Sequence, residues 1–450
     1  MITTQDVYDF CLKMLQDKKQ FFVFLQGRGG TGKTHTIRRI AAALKPNQYL
    51  LMSATNTGAI EIGGETIYKA LKLPLDLFDT DVINYKHCPD LEFVVFDEVS
   101  MMIGEMLGIL DDALRKKTGK NALFGGCSIL LSGDLRQLSV GDDRIFQADN
   151  WYLFDRIELK KSIRHTTDQE FADHLSRWAE GEVHPWDLQF FKKRELCPDG
   201  LDYKTVAQAF LALPPGKNAI LCANREAVAR FNEAVVKEKK PSQNVLKTYR
   251  HVLEKKMEGV RGPPHYEEQE EDGYFHVAVG LGVLFTGQMV STENFRVKSG
   301  THGVILGFER GYGSIVKHLR IQIHGRPYHF IRQYTQQPIY GNLRSLVSLR
   351  FEIVNSYAFV VHRAQGMTLD KVIVDTSNGL GTAMGYTAFS RVRTAADLFI
   401  THLPKKTDFS ELRHIITADE LVNRALAEQP LLDLMPKSED LAKENKEAAT

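Results

Sequence analysis

The sequence predicts an α/β protein with parallel sheets that carry phosphate chemistry at their strand ends. Three observations lead there. The apolar run FFVFL (21–25) passes into QGRGGTGKTH (26–35) and then TIRRIAAAL (36–44), giving strand, glycine-rich turn and helix in the order a phosphate-binding loop needs. A second apolar run, LEFVVFDE (91–98), ends on two adjacent acids. Further buried-type runs, CSILLSG (127–133), NAILC (218–222) and KVIVD (371–375), recur with room for helices between them.

Taken in order, VYDFCLKML follows Thr3 and Thr4, either of which suits a helix N-cap. Gln5, just inside that helix, has an amide that can both donate to and accept from an adenine edge. In the glycine-rich turn, Gly27, Gly29, Gly30 and Gly32, with Thr31 among them, let successive backbone N–H groups point at phosphate oxygens. The following helix adds its N-terminal partial charge. Lys33 reaches β- and γ-phosphates, and the Thr34 hydroxyl suits Mg²⁺. YLLMSAT (49–55) reads as a second strand, leading into NTGAIEIGGETIYKAL, a polar loop at a strand's carboxyl end. There Thr55, Thr57 and Thr66 can hold a phosphodiester backbone, although an ordinary connecting loop has the same composition.

Residues 71–90, with breakers Pro74 and Pro89, read as a small excursion from the first domain. The strand ending in Asp97 and Glu98 supplies what a nucleotide-hydrolysing site needs next. Asp97 would hold the Mg²⁺ shell, and Glu98 would polarise an attacking water. Unpaired acids at a buried strand end are otherwise costly. LGILDDALRKKTGKNALFGG reads as a helix that turns at Gly125–Gly126, and CSILLSGDLRQL as another strand with Gln137 just beyond it. Gln137 can bridge a γ-phosphate and a bound strand.

The 450 residues imply two to four domains, and 43% hydrophobic with 25% charged residues is globular composition. A net charge of +1 means a nucleic-acid partner would be held by a local groove rather than a global basic field. No apolar run reaches membrane-spanning length, and MITTQDVYDF resembles neither a signal nor a transit peptide. Cys11, Cys88, Cys127, Cys197 and Cys222 are scattered without a CxxC pair, so they read as reduced thiols. His87–Cys88 lacks partners at metal-ligand spacing. The expectation is a soluble intracellular protein, with nucleus, cytoplasm and nucleoid all open.

GRGGTGKT, SATNTGAIEIGGETI, FDEVSM, LDDALRKKTGKNALFGG and GDLRQL together resemble the petite-integration-frequency (PIF) helicases of superfamily one, relatives of the RecD and phage Dda helicases. SYAFVVHRAQGMTLDKVIVD and GYTAFSRVRTAADLFI resemble that family's motifs five and six, so the likeness runs in the family's order from about residue 5 to 401. It implies two RecA-like P-loop NTPase domains, with a small SH3-like β insertion in the second. The boundaries expected are 1–157 for the first domain, 158–240 with 346–430 for the second, 241–345 for the insertion, and a charged tail at 437–450. It also implies that Arg164 reaches ATP as the motif-four arginine, that Arg391 is the motif-six finger, and that Gly366 joins the ATP set. His362 and Arg363 fall among the DNA-contacting positions.

Within the insertion, VLFTGQMVSTE, HGVILGFE and HLRIQIHG alternate as short strands do, while the acid run EEQEED reads as a solvated loop. The chain departs from the family at QLSVGDD, where prolines are usual, and at Tyr68, Arg363 and Phe389, in place of histidine, lysine and leucine. The resemblance implies an ATP- and Mg²⁺-dependent monomeric motor that moves 5′ to 3′ on single-stranded DNA and unwinds forked or tailed duplexes in replication, recombination or repair. An RNA helicase, a translocase that does not separate strands and a binding scaffold with a vestigial ATPase stay open, because backbone contacts need not read the sugar.

Overall fold

The computed structural model describes residues 2–72, 87–139, 144–160, 164, 166–239, 246–256, 268–310, 316–339, 344–381 and 383–404. Most of the 71–90 excursion and the charged tail from 437 lie outside them.

Helix α1 (Thr4–Gln16) starts at Thr3, whose hydroxyl accepts from the Asp6 amide while the Asp6 carboxylate accepts from the Thr3 amide. Such a reciprocal cap is worth about 1 kcal/mol. Strand β1 (Phe22–Gly27) runs into the glycine-rich turn, and α2 (Lys33–Ala42) leaves it. β2 (Tyr49–Ser53) is followed by α3 (Asn56–Ile62), the two-residue β3 (Glu65–Thr66) and the short α4 (Ile67–Ala70). The stretch after Ser53, expected as loop, is therefore half helix. Thr55 caps α3 by accepting from the Gly58 amide at 3.0 Å, and Gly63 ends it in the left-handed region. β4 (Phe93–Asp97), α5 (Met106–Thr118), β5 (Ser128–Gly133) and β6 (Asp155–Leu159) complete this part. α5 stops at Gly119, earlier than the expected turn at Gly125–Gly126.

These strands form one wholly parallel sheet in the order β3-β2-β4-β5-β1-β6. Alternation along each strand feeds two cores. Val23, Leu25, Phe93 and Val95 pack with Val7, Phe10, Ile37 and Ile40 from α1 and α2. Phe24, Val94, Phe96 and Leu131 face the other way, onto Leu107, Leu110 and Leu114 of α5 and Trp151. Helices on both faces explain why the strands read as continuous apolar runs. The register sets Leu25 opposite Ser132, Ser132 opposite Asp97, Asp97 opposite Ser53 and Ser53 opposite Thr66. All the loops that carry polar chemistry thus leave from one carboxyl edge.

The chain divides into two units, Met1–Glu195 with Val361–Thr450, and Leu196–Val360. The first also holds α6 (Gln169–Trp178), α7 (Pro185–Lys192), the parallel strand pair Lys371–Val374 and Leu398–Ile400, and a six-residue helix at Met384–Phe389. In the second unit α8 (Tyr203–Leu211) and α9 (Arg225–Lys239) flank β7 (Asn218–Cys222), which pairs in parallel with Ala358–Val360. The rest is antiparallel. One sheet joins Arg326–Ile331, Val316–Ile323, His302–Arg310, Gly282–Phe285 and Ile353–Asn355, and another joins Gln333–Ile339, Arg344–Arg350, Leu246–Lys256 and Glu268–Val277. The short strands expected at HGVILGFE and HLRIQIHG are present. The acid run is not a loop, since Glu268–Asp272 lies in a strand paired with Leu246–Lys256, where ladder hydrogen bonds outweigh the low strand preference of acids.

Cys11, Cys127, Cys197 and Cys222 are buried, Cys88 is half-buried, and all five are free thiols. No helix among the described residues is long and apolar enough to cross a membrane, and none of their His, Cys, Asp and Glu side chains cluster as a metal site of three or more.

Candidate active site

Everything in this site lies in the first unit. At the carboxyl end of β1 the chain enters the left-handed region at Gly30 (φ 81°) and again at Gly32 (φ 95°). Gly30 also faces Arg164 so closely that a Cβ there would collide with the Arg164 Cβ. Lys33, at the start of α2, donates to the Gly27 carbonyl at 2.5 Å and the Arg28 carbonyl at 3.3 Å. Burial lowers its pKa, while Asp134, Glu98 and Asp97 oppose that shift.

Arg164 and Arg391, 227 positions apart by number, meet at this loop. A methyl placed on Gly29 would lie 3.0 Å from Arg164 Nη1 and 3.6 Å from Arg391 Nη2. The Arg164 amide donates to the Gly30 carbonyl at 3.2 Å, and its Nη1 to the Ser390 carbonyl at 3.0 Å. Arg391 is 1% exposed. Its Nε donates to the Thr387 carbonyl at 2.7 Å and its Nη2 to Ser390 Oγ at 2.9 Å. Burial and then the neighbouring Arg391 charge bring the Arg164 pKa down to about 10. Two guanidinium groups held this close call for anionic charge between them and the P-loop.

Asp97 is buried at the end of β4, and burial followed by the Glu98 charge pushes its carboxyl up to about 7, with Lys33 pulling the other way. Glu98 takes a left-handed backbone (φ 59°), which turns its side chain off the strand. Gln365 Nε2 donates to Glu98 Oε2 and to Ser100 Oγ, each at 3.0 Å. Gly366 (φ 80°) sits in the same turn, where an added Cβ would lie 3.5 Å from Glu98 Oε1 and 3.8 Å from the Gly58 amide nitrogen. Gly366 is thus beside the acid rather than against the glycine-rich turn.

Gln137 is 4% exposed, and its amide nitrogen donates to the Asp134 carbonyl at 2.9 Å. Its side-chain Oε1, like that of Gln26 at the end of β1, is buried with no protein hydrogen bond among the described residues. A buried polar layer fixes this loop. Tyr386 OH donates to Asp134 Oδ2 at 2.9 Å, Arg136 Nη2 to Glu158 Oε1 at 2.8 Å, and the Leu138 amide to Thr387 Oγ1 at 3.3 Å. The segment carrying Gln137 is therefore tied to the helix that leads to Arg391.

The other expected positions are spread out. Gln5 is exposed, donating to Asp9 at 2.9 Å and accepting from Arg39 at 3.0 Å. Thr34 follows Lys33 in the first turn of α2. Thr31 is buried, its hydroxyl bonded to the Arg28 carbonyl at 2.9 Å. Thr55, Thr57 and Thr66 are half-buried around α3, with the Thr55 hydroxyl engaged as a cap. His362 and Arg363 are half-buried in a 3₁₀ turn just before Gln365, and burial lowers the His362 pKa, favouring its neutral form. Reading the sequence missed Glu61 of α3, whose carboxyl is raised by burial and then Glu98, against the charges of Arg164, Arg391 and Arg38. It also gave no role to Tyr386, Arg136 or Gln365. Nothing in local pattern marks a glutamate in a helix as facing two distant arginines.

A family model described as PIF1-like helicase matches residues 2–184. The ATP-dependent DNA helicase Pif1 of Bdellovibrio bacteriovorus is 24% identical over 395 residues, 84% of this chain and 83% of that protein. The ATP-dependent DNA helicase PIF1 of Homo sapiens is 24% identical over 403 residues, again 84% of this chain but 57% of that protein. The zebrafish relative is likewise spanned over 58% of its length, so the chain covers little more than half of these vertebrate proteins. Among solved structures, the Bacteroides Pif1 helicase in complex with ADP-AlF3 and single-stranded DNA superposes with a TM-score of 0.71 at 20% identity, covering 95% of this chain and 98% of that one. The Candida albicans Pif1 helicase gives 0.68 at 19%, with 94% and 100% covered. At that identity the structures speak for the fold, an α/β arrangement with two RecA-like parts. With the glycine-rich turn, the paired acids and both arginines in the family's order, residues 2–184 match the PIF1-like helicase model, and most of the chain is similar to proteins named as Pif1 helicases.

Proposed function

We infer that this chain is an ATP-dependent DNA helicase. The observation that carries the reading is the meeting of Arg164 and Arg391 at Gly29, the P-loop turn that Lys33 closes. Glu98 lies across the site, held by Gln365. Such a set clamps a triphosphate: backbone amides and Lys33 hold it, and the arginines stabilise charge on the γ-phosphoryl oxygens as it transfers to water. We assign Glu98 to orienting that water and Gln137 to sensing the γ-phosphate through its buried Oε1.

The residues fit Mg²⁺, since Thr34 and the buried Asp97 offer hard oxygen ligands at one strand edge. When bound, Mg²⁺ would neutralise charge shared by β- and γ-oxygens. Asp97, Thr34 and the P-loop then fix the angle at which the phosphate chain meets Lys33. The adenine end is assigned to Gln5, with Gly27, Gly30, Thr31, Gly32 and Gly366 shaping the rest of the seat.

Hydrolysis cuts the γ-phosphoryl group from ADP, and departure of the resulting phosphate removes the charge that both arginines face, so their segments lose their hold on the P-loop. Repetition of that cycle, with unequal grip on single-stranded DNA, gives directed steps by a monomeric motor. We read the two ATPase halves as 1–157 and 158–240 with 346–430. Thr55, Thr57, Thr66, His362 and Arg363 are assigned to the sugar–phosphate backbone, and movement to the 5′-to-3′ direction. The likeness to relatives named as DNA helicases supports DNA over RNA.

The test measures ATP hydrolysis with single-stranded DNA, single-stranded RNA or neither, beside unwinding of duplexes with 5′ or 3′ tails. Stimulation by DNA with unwinding from the 5′ tail alone is expected, and Lys33→Ala should abolish both while its melting temperature holds. Equal stimulation by RNA would overturn the DNA assignment, stimulation without unwinding would leave a translocase, and turnover retained in Lys33→Ala would remove the P-loop from the site.

A further inference from the structure

We propose that the chain carries a second oxyanion site beside the P-loop, which receives the inorganic phosphate leaving the terminal position of ATP. This deepens the ATPase reading and rests on it. A cavity of about 330 Å³ opens next to Gly29, with Arg28, Lys160, Ser176, Tyr386 and Ser390 in its lining. Its lining holds two cations and no carboxylate. That composition selects a small anion over the neutral ribose and base of a nucleotide.

Its position relates it to the terminal phosphate. Gly29 is where both arginines approach the P-loop, and Gly29 lines the cavity, whereas Gly32, Lys33 and Thr34 do not. Ser390 is shared as well. Its carbonyl accepts from Arg164, its hydroxyl accepts from Arg391, and it forms part of the cavity wall. The cavity therefore shares two of its lining residues, Gly29 and Ser390, with the surroundings of the arginine pair. Arg28 is fixed by Ser176 at Nη1 and by the Glu180 carboxylate at Nη2, 2.9 Å to Oε1, so each terminal nitrogen keeps one further N–H for an anion. Lys160 is exposed. The buried Asp134 is already partnered, accepting from Tyr386 OH at 2.9 Å and lying 3.5 Å from Arg136 Nη1. A phosphate released by Arg164 and Arg391 thus meets the positive charges of Arg28 and Lys160 in the same cavity.

The experiment uses the full chain with Lys160→Glu and Lys160→Arg, inorganic phosphate as probe, and steady-state ATP turnover on single-stranded DNA. Reversing the charge should weaken inhibition by inorganic phosphate about tenfold, with Lys160→Arg restoring it and with ATP KM and ADP inhibition unchanged. Unchanged phosphate inhibition in Lys160→Glu overturns the site. Parallel weakening for ADP and phosphate overturns it too, by making the cavity part of the nucleotide seat. Phosphorus NMR line broadening of inorganic phosphate, in a Lys33→Ala background and without ATP, gives an independent reading. Broadening that survives Lys33→Ala and disappears with Lys160→Glu supports the site even if the chain fails to hydrolyse ATP, a failure that would remove the exit role and the ATPase reading together.

Discussion

At the scale of single residues, the site works through charges that burial makes expensive. Glu98 is the sharpest case. A glutamine there keeps an oxygen to accept from Gln365 Nε2, so Glu98→Gln should preserve fold, ATP binding and DNA binding while lowering turnover about 10² to 10⁴-fold. Single-turnover ATP cleavage beside nucleotide titration checks this, and lost nucleotide binding would make Glu98 structural. Glu61 behaves differently. Its carboxyl sits above the ordinary value of 4.5 because burial and Glu98 disfavour the charge more than the arginines favour it. The native state then holds that proton more tightly than the unfolded chain does, so the stability it confers is complete below 4.5 and is lost as pH rises through the raised value. Glu61→Gln should therefore stabilise the chain more at pH 8 than at pH 5. Denaturant midpoints at the two pH values decide it, and an equal midpoint change at both would refute the raised carboxyl.

Among the elements, how much the sequence disclosed depended on whether the cause was local. The P-loop, both acids and the strand runs were legible because φ preference, charge at a strand end and two-sided burial act within a few residues. The α3 helix was not, because Gly58, Gly63 and Gly64 read as loop and only the Thr55 cap shows how the backbone is held. Nor was the strand through Glu268–Asp272, whose pairing partner is remote in sequence. The link from Tyr386 to Asp134 crosses 252 positions and leaves no periodic trace. The cap gives a clear prediction: Thr55→Ala should cost about 1 kcal/mol in the unfolding free energy, and Thr55→Ser far less. Chemical denaturation of the three chains measures it. Single-stranded DNA affinity that fell equally in the serine and alanine variants would exclude a role for the hydroxyl in holding the strand.

For the whole molecule, a net charge of +1 removes any global attraction for nucleic acid, so affinity must come from a few placed contacts. The logarithm of the single-stranded DNA association constant should fall linearly with the logarithm of salt, by about 0.7 per phosphate contacted. It should vary little among base sequences of equal length. Fluorescence anisotropy across a salt series tests both, and a flat salt response would refute backbone grip. The thiols have a consequence for how such a motor can be watched. Burial pushes the Cys127 thiol up to about 12 and raises Cys11 further, and Cys197 and Cys222 are enclosed as well. Cys88 alone is partly open, close before β4, the strand that ends at Asp97. The unmodified chain thus comes with one ready attachment point for a maleimide dye, and a fluorophore placed there would ride beside the parallel sheet that carries the glycine-rich turn, without an engineered cysteine.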